Sequence, residues 1–527
     1  MNLEEVKTRT ESINPATGEV LGHSPLHTID DLKKMVKKAR EAQKSWGALP
    51  VKKRVRYMRA IRNYLVDNSD RLSETIARDN GKLRIDAFAT EVLPSAMAIS
   101  YYAKYAKKFL NDRKLGTGNI LFLNKRSKVA RVPFGVVGII SPWNYPFTIP
   151  FSEVIMGLLA GNAVILKTAT ETQMVGMALR EAIEAAGLPE GIFSYINLPG
   201  RIAGDAFLES GMDKLFFTGS VPVGKILMAK ASETLTPVNL ELGGNDAMLV
   251  CDDADISRAA TGAVWAGFSN AGQSCGGVER IYVHEKVYEP FLKLLKEKVD
   301  GLRVGYDTDY NCDMGCMTTQ KQAELVKTHV DDALKHGAKL YAQSKIPQDA
   351  NLHNFIPAMV LTDVNHEMLV MKDETFGPVV GVMKVSNMDE AIDLANDSYL
   401  GLTGSVWCKN HKKAERIARR IKAGAVTIND HLMSHGLAET SWGGFKQSGI
   451  GRSHGELGFN EMTQPQMIVN DILPGVKKNM WWHPYNETIY KGIKGVMDVL
   501  YGRSIGRRLS GMGRLLRIFP RMFSEKG

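Results

Sequence analysis

Between residues 135 and 250 the chain carries a series of short apolar runs, GVVGII, AVILK, KLFFTG, PVNLEL and DAMLV, with little polar alternation inside them. Runs of that length and uniformity fit strands covered on both faces. Segments with helical periodicity lie between them, such as 171–186, which Gly187 and Pro189 bring to an end. Strands alternating with helices predict a parallel, doubly wound sheet. A second set follows, with a helix over 256–268, a strand over 280–284 and a helix over 287–299. Upstream, SINPATGEV (12–20) reads as a strand broken at Pro15 and Gly18. Asp30 is placed to cap a helix that carries Leu32, Met35, Val36 and Ala39 on one face, and 54–65 repeats the pattern with Met58, Ile61 and Leu65. After Gly116 and Gly118, ILFLNKRSKVARVPFG is strand-like and partly alternating, and a hairpin exposed there would need its edges covered, which implies an oligomer. The fold class predicted is α/β, with two doubly wound α/β domains and a small β hairpin.

Length agrees with more than one domain, since 527 residues exceed the roughly 250–300 at which single cores stop growing. No stretch reaches the ~18 consecutive apolar residues of a membrane span. MNLEEVKTRTE lacks the apolar segment of a secretory signal, so a cytoplasmic location is expected. Five cysteines, an odd number, point to a reducing compartment instead of a disulfide scaffold. Cys312 and Cys316 have no Cys or His partners at zinc-site spacing, so no metal is expected. Structural roles suit both of them, and Cys251 and Cys408 as well. The net charge of +10 is concentrated at one end, for residues 477–527 hold 11 Lys and Arg against 3 acids. The near-neutral remainder argues against a nucleic-acid-binding body.

The candidate chemistry centres on Cys275 in FSNAGQSCGGVER (268–280). Small and polar neighbours suggest a flexible backbone that presents the sulfur to a substrate. By itself the residue reads as readily as a small core cysteine. Upstream lie Glu241 in LELGG (240–244) and Asn144 in PWNYP (142–146), so the chain holds a thiol, a carboxylate and a carboxamide: the nucleophile, base and oxyanion donor of acyl chemistry. These segments, together with FTGS (217–220), ETFGP (374–378) and GGFKQSGIGR (443–452), stand in an order that resembles the aldehyde dehydrogenase superfamily. The likeness extends to about Asp471.

The resemblance implies an NAD(P)-binding domain over 1–118 and 134–243 and a catalytic thiol domain over 244–442. Oligomerisation or bridging segments would occupy 119–133 and 443–474, and a basic amphipathic tail 475–527. It implies that Cys275 attacks an aldehyde, that Asn144 and the Cys275 N–H hold the resulting oxyanion, and that Glu241 activates water against the thioester. For NADP or NAD it places Trp143 and Lys167 beside the adenosine ribose and Gly219 and Ser220 near the pyrophosphate. Glu374 falls on the nicotinamide ribose and Phe376 beside it. Many NAD-preferring relatives read Lys-x-x-Glu where this chain has Lys167 and Thr170, with Glu171 one place late, which makes NADP plausible and leaves NAD open. Relatives acting on succinate semialdehyde often carry arginines where this chain has Ser152 and Ser269, so an uncharged or long-chain aldehyde is expected. A succinate-semialdehyde-type enzyme and a non-catalytic binding protein on the same fold are the alternatives. A homodimer or homotetramer is expected, without nucleic acid. The tail, with Ile493, Val496, Met497 and Leu500 at helical spacing, fits packing on protein or peripheral contact with a membrane.

Overall fold

The computed structural model describes residues 8–307 and 309–525. Residues 8–111 and 131–464 form one unit, and 112–130 with 465–525 form another. In the first unit the apolar runs become two sheets. The six-stranded sheet has the order Gly449–Ile450, Val238–Glu241, Lys214–Thr218, Val136–Ile140, Ala163–Lys167, Phe193–Tyr195, parallel except for its first strand. The seven-stranded sheet has the order Lys339–Gln343, Met359–Thr362, Val379–Val385, Val278–His284, Asp246–Val250, Thr403–Trp407, Ala425–Ile428, parallel except for its first pair. Every residue of Val136–Ile140, Ala163–Lys167 and Asp246–Val250 is buried, as runs without alternation require. Each sheet sits in its own apolar core, and the chain passes from one to the other between Glu241 and Asp246. The fold is α/β with two doubly wound α/β domains.

Local chemistry shifted several boundaries. The first long helix, Ile29–Ala48, is capped by Thr28 and not by Asp30: the Thr28 hydroxyl accepts from the Asp31 N–H while the Asp31 carboxylate accepts from the Thr28 N–H. Residues 170–172 form a short 3₁₀ turn before the helix Gln173–Glu184. The helix Thr148–Ala160, which follows PWNYP directly, is buried along its whole length. Its last turn is held from outside: Trp46 Nε1 donates to the Leu158 carbonyl at 2.9 Å and Arg54 Nε to that of Leu159 at 2.9 Å, so carbonyls without helical partners are satisfied. Burial depresses the Arg54 pKa to about 10. Cys251, Asp253 and Cys408 cluster in the second domain. The Cys408 thiol donates to Asp253, and Lys413 lies 3.7 Å from the same carboxylate and supplies its cation.

The second unit holds a three-stranded sheet in the order Thr463–Asp471, Lys125–Pro133, Arg113–Leu115. The strand expected from residue 120 begins only at Lys125. Asn119 turns the chain first, its side chain and carbonyl accepting from the N–H groups of Leu121 and Phe122. Two helices, Glu487–Tyr501 and Ile505–Ile518, follow. Among the described residues no helix is long and apolar enough to cross a membrane.

Candidate active site

Cys275 stands in the loop between the helix Ile256–Phe268 and the strand Val278–His284. The small residues around it predict flexibility, yet the structure shows a loop locked in an unusual shape. Asn270, Ala271 and Gly272 take left-handed conformations in succession, with φ of 52°, 53° and 72°. For Asn and Ala this costs about 1–2 kcal/mol per residue, so the surroundings must impose it. A Cβ at Gly272 would lie 2.1 Å from the Gly377 carbonyl, which leaves glycine as the residue that fits. Gln273, fully buried, donates to the Asn270 carbonyl at 2.9 Å and accepts from the Thr318 N–H at 2.9 Å. Beyond the cysteine, the Gly276 carbonyl accepts from His431 Nε2 at 2.9 Å. Burial lowers the His431 pKa to about 4, so the ring is neutral, and its Nδ1 accepts from Ser405 at 2.7 Å.

Asn144 belongs to the same bonded assembly. Its Nδ2 donates to the Gln273 carbonyl at 3.1 Å, and its own backbone carbonyl accepts from Asn270 Nδ2 and Lys82 Nζ, each at 2.9 Å. Lys82 is one half of a fully buried ion pair with Glu91 at 2.6 Å. The other Glu91 oxygen accepts from the N–H groups of Phe147 and Thr148 at 2.8 and 3.2 Å, and the Lys82 ammonium sits 4.2 Å above the Tyr145 ring. A single buried pair therefore holds PWNYP at Asn144 and Tyr145 and the two residues just after it.

Three cavities meet at Cys275. The first, about 270 Å³, is lined by Trp143, Asn144, Gly219, Ser220, Glu241, Glu374 and Phe376 among others. It unites eight of the ten residues singled out from sequence. Lys167, buried, and Thr170, exposed, do not line it. Trp143 and Phe376 meet edge to face, with centroids 5.5 Å apart. Phe376 is itself left-handed at φ 51°, and the Glu279 carboxylate fixes it by accepting from the N–H groups of Thr375 and Phe376. Glu374 accepts from the Gly244 N–H at 3.0 Å and lies so close over Gly243 that a Cβ there would fall 2.1 Å from its Oε2. This cavity suits a dinucleotide. Ser220 precedes the helix Val221–Ala231 without making a side-chain cap, which leaves first-turn N–H groups for an anion, and the buried Thr218 hydroxyl on the same wall has no partner among the described residues.

The second cavity, about 250 Å³, approaches Cys275 from another side and is mainly apolar, with Leu93, Met97, Ile149, Trp265, Leu437 and Trp442 in its wall. Ser269 lines it, but Ser152 is buried and does not. None of the described lining residues is Lys or Arg, and burial lowers the pKa of its one histidine, His435, to about 4. The third is a chamber of about 20 Å³, room for about one water, bounded by Cys275, Glu241, Glu153, Ser453 and His454. Among the described residues Glu153 Oε2 and His454 Nδ1 are buried without hydrogen-bond partners, and the buried Glu241 carboxyl has Asn239 as the side chain that acts on it by hydrogen bonding, short of a well-formed bond.

The electrostatics are dominated by burial. It pushes the Glu241 carboxyl well above its usual range, reinforced by Glu153, and raises Glu153 to about 8. It also raises the Cys275 thiol, with Glu374, Asp246 and Glu241 adding repulsion, so the thiol is held protonated. Sequence reasoning missed Lys82, Glu91, Glu153, His435 and His454. Only Glu153 left a legible signal, as the sole charged residue in TIPFSEVIMGLLA.

The family model for the aldehyde dehydrogenase family matches residues 3–468. A protein of a Methylomonas species named 4,4'-diapolycopene aldehyde oxidase is 38% identical over 497 residues, which is 94% of this chain and 92% of the relative. One from Mycolicibacterium smegmatis, named "Putative succinate-semialdehyde dehydrogenase" with NADP(+) as its stated cofactor, is 37% identical over 88% of this chain and 90% of its own. Among solved structures, betaine aldehyde dehydrogenase of Staphylococcus aureus in complex with NAD+ superposes with a TM-score of 0.84 at 30% identity, covering 91% of this chain and 94% of that one.

Proposed function

The chain belongs to the aldehyde dehydrogenase family and is an NAD(P)-dependent enzyme of aldehyde oxidation, and on that premise we propose that it oxidises an uncharged, long-chain aldehyde to its acid through a thioester on Cys275. The observation that carries the reading is the meeting of three chemically distinct cavities at one sulfur: a glycine-lined cleft, an apolar channel and a chamber with room for about one water. The apolar channel takes the aldehyde. The Cys275 thiol gives up its proton to solvent water as the sulfur bonds to the carbonyl carbon, and Asn144 Nδ2 with the Cys275 N–H stabilises the oxygen as it gains charge. Trp143, Gly219, Ser220, Glu374 and Phe376 would hold NAD or NADP, which would supply the hydride acceptor. Glu241 then takes a proton from a water in the small chamber as that water attacks the thioester and passes it to the departing sulfur, so the acid leaves with the thiol restored.

A substrate screen across chain lengths, read by reduced-cofactor absorbance, tests the substrate class. Long aldehydes should give the higher kcat/KM, and preference for a dicarboxylic semialdehyde would sink the reading. Such a substrate would find no cation for its distal carboxylate among the described residues lining the channel.

In the same reading Glu241→Gln retains a first-turnover burst of reduced cofactor and slows acid release, because the base acts mainly after the thioester forms. Acid release in the parent should rise with pH as Glu241 deprotonates. Since Glu153 helps to raise the Glu241 pKa, Glu153→Gln should move that limb to lower pH. Rapid-mixing pH profiles of the second step measure the shift; a limb that stays in place, or moves to higher pH, assigns the base elsewhere.

Lys167 and Thr170 do not line the cleft that Trp143 shares with Phe376, and their assignment to the adenosine ribose rests on the family resemblance. Burial lowers the Lys167 pKa and the Glu171 carboxylate opposes that shift, while Thr170 brings no negative charge to the strand end. Thr170→Glu should therefore lower NADP use relative to NAD, by charge repulsion with the 2′-phosphate. An unchanged ratio of kcat/KM values would remove Thr170 from the ribose site. An oligomer fits the edge strand Thr463–Asp471, which exposes Met467, Ile468 and Val469 and needs a covering chain.

A further inference from the structure

The helices Glu487–Tyr501 and Ile505–Ile518 form a hairpin that is built inside out. Their seam is closed by glycines that pack against Ile518 and the facing backbone. A Cβ on Gly492 would come within 2.6 Å of Ile518, and one on Gly495 within 2.5 Å of the Gly511 carbonyl. The one acid in the seam, Asp498, is buried and accepts from Arg507 and Arg514. With the seam closed in this way, Ile489 and Ile518 are buried, while two rows of large apolar side chains point to solvent. On the first helix these are Tyr490, Ile493, Met497 and Tyr501, and on the second Ile505, Leu509, Met512 and Leu516, all at spacings of three or four residues. Phe519 and Phe523 extend the second row. Ile505 is 78% exposed, Leu509 67% and Met497 64%, whereas a helix of a water-facing surface turns such a stripe inward.

We propose that this hairpin docks the protein on an anionic lipid bilayer. Residues 477–527 hold 11 basic against 3 acidic side chains, and Lys494, Arg503, Arg508 and Arg517 are exposed beside the apolar rows. A second copy of the hairpin would bring the same positive charge to the same face. A nucleic acid would answer the charge and leave the apolar rows in water. An anionic bilayer answers both, since the rows enter the headgroup and acyl boundary while Lys and Arg reach the phosphates. Helices of 15 and 14 residues, at 1.5 Å per residue, fall short of the roughly 30 Å hydrocarbon core, so the hairpin lies in the interface and does not span it. Docking of this kind is independent of which aldehyde the site accepts.

The test is sedimentation of the full-length protein with vesicles of 3:1 phosphatidylcholine to phosphatidylglycerol, against pure phosphatidylcholine, at low and high salt. The expected result is binding to the anionic vesicles, at least tenfold weaker on the neutral ones and weakened by salt. L509E/L516E, at side chains already in water, should lower the partition coefficient tenfold or more with unchanged circular dichroism, and K494Q/R517Q should lower it and flatten its salt dependence. A parent protein that ignores anionic vesicles at low salt overturns the proposal, as does an L509E/L516E variant that sediments like the parent. If L509E/L516E dissociates an oligomer and the parent binds no vesicles, the rows pack on a second copy and the bilayer is excluded. Should L509E/L516E fail to fold, full binding by K494Q/R517Q with its salt dependence intact overturns it alone.

Discussion

Cys275→Ala should lower aldehyde-dependent formation of reduced cofactor by about 10⁵-fold or more and leave no acyl-enzyme, because in the proposed mechanism both steps pass through one sulfur. The structure adds a more particular expectation for the parent thiol. Cys275 touches all three cavities, and burial together with Glu374, Asp246 and Glu241 holds its proton in place. Alkylation by iodoacetamide without cofactor should thus be slow at neutral pH and accelerate into the alkaline range. Since Glu374 is the foremost of the repelling carboxylates, Glu374→Gln should increase the rate at a fixed pH by lowering the thiol pKa. Rapid alkylation of the parent at pH 6, or no acceleration in Glu374→Gln, would mean that a cation or a hydrogen bond stabilises the thiolate in solution. Retained turnover in Cys275→Ala would remove the thioester mechanism altogether.

The strands around this site were legible because they are covered on both faces, so their apolar runs could be read without knowing the neighbours. Helix ends were less so. Asp30 and Thr28 are both good caps by type, and only the reciprocal bonds between Thr28 and Asp31 decide between them. The locked shape of the cysteine loop could not be read at all, since it depends on Gly377, Thr318, Thr403 and His431, all far away in sequence. The same holds for the small chamber. His454 sits next to GGFKQSGIGR and Glu153 on the helix after PWNYP, and neither has a local pattern that marks it as facing Glu241. In the tail the helical spacing of Ile493 and Met497 was plain, but the reversed orientation of the hairpin came from Gly492, Gly495 and Gly511. In a lone helix those residues read as weak points, and as close-packing sites only when two helices face each other.

The second large effect expected is at the buried pair behind PWNYP, where Lys82→Met should reduce stability by about 3–5 kcal/mol, the usual cost of stranding one charge of a buried pair. Glu91 would keep its bonds from the Phe147 and Thr148 N–H groups but lose its only counter-cation among the described residues, and the Asn144 carbonyl and the Tyr145 ring would lose the same ammonium. Urea unfolding compared with the parent measures the loss. The double variant Lys82→Met/Glu91→Leu separates folding from positioning. With no charge left to strand, it should recover much of the stability, since apolar replacements of whole buried pairs are often neutral. It should not recover activity, because the N–H groups of Phe147 and Thr148 would lack their partner, the Asn144 carbonyl would keep only its bond from Asn270, and the Asn144 amide would shift relative to Cys275. Misplacement of about 1 Å at a donor of this kind costs roughly 10² in rate, so kcat should stay depressed while KM changes little. If the double variant regains full kcat, Lys82 and Glu91 serve stability alone. If Lys82→Met unfolds within 1 kcal/mol of the parent, the pair is not what holds the loop.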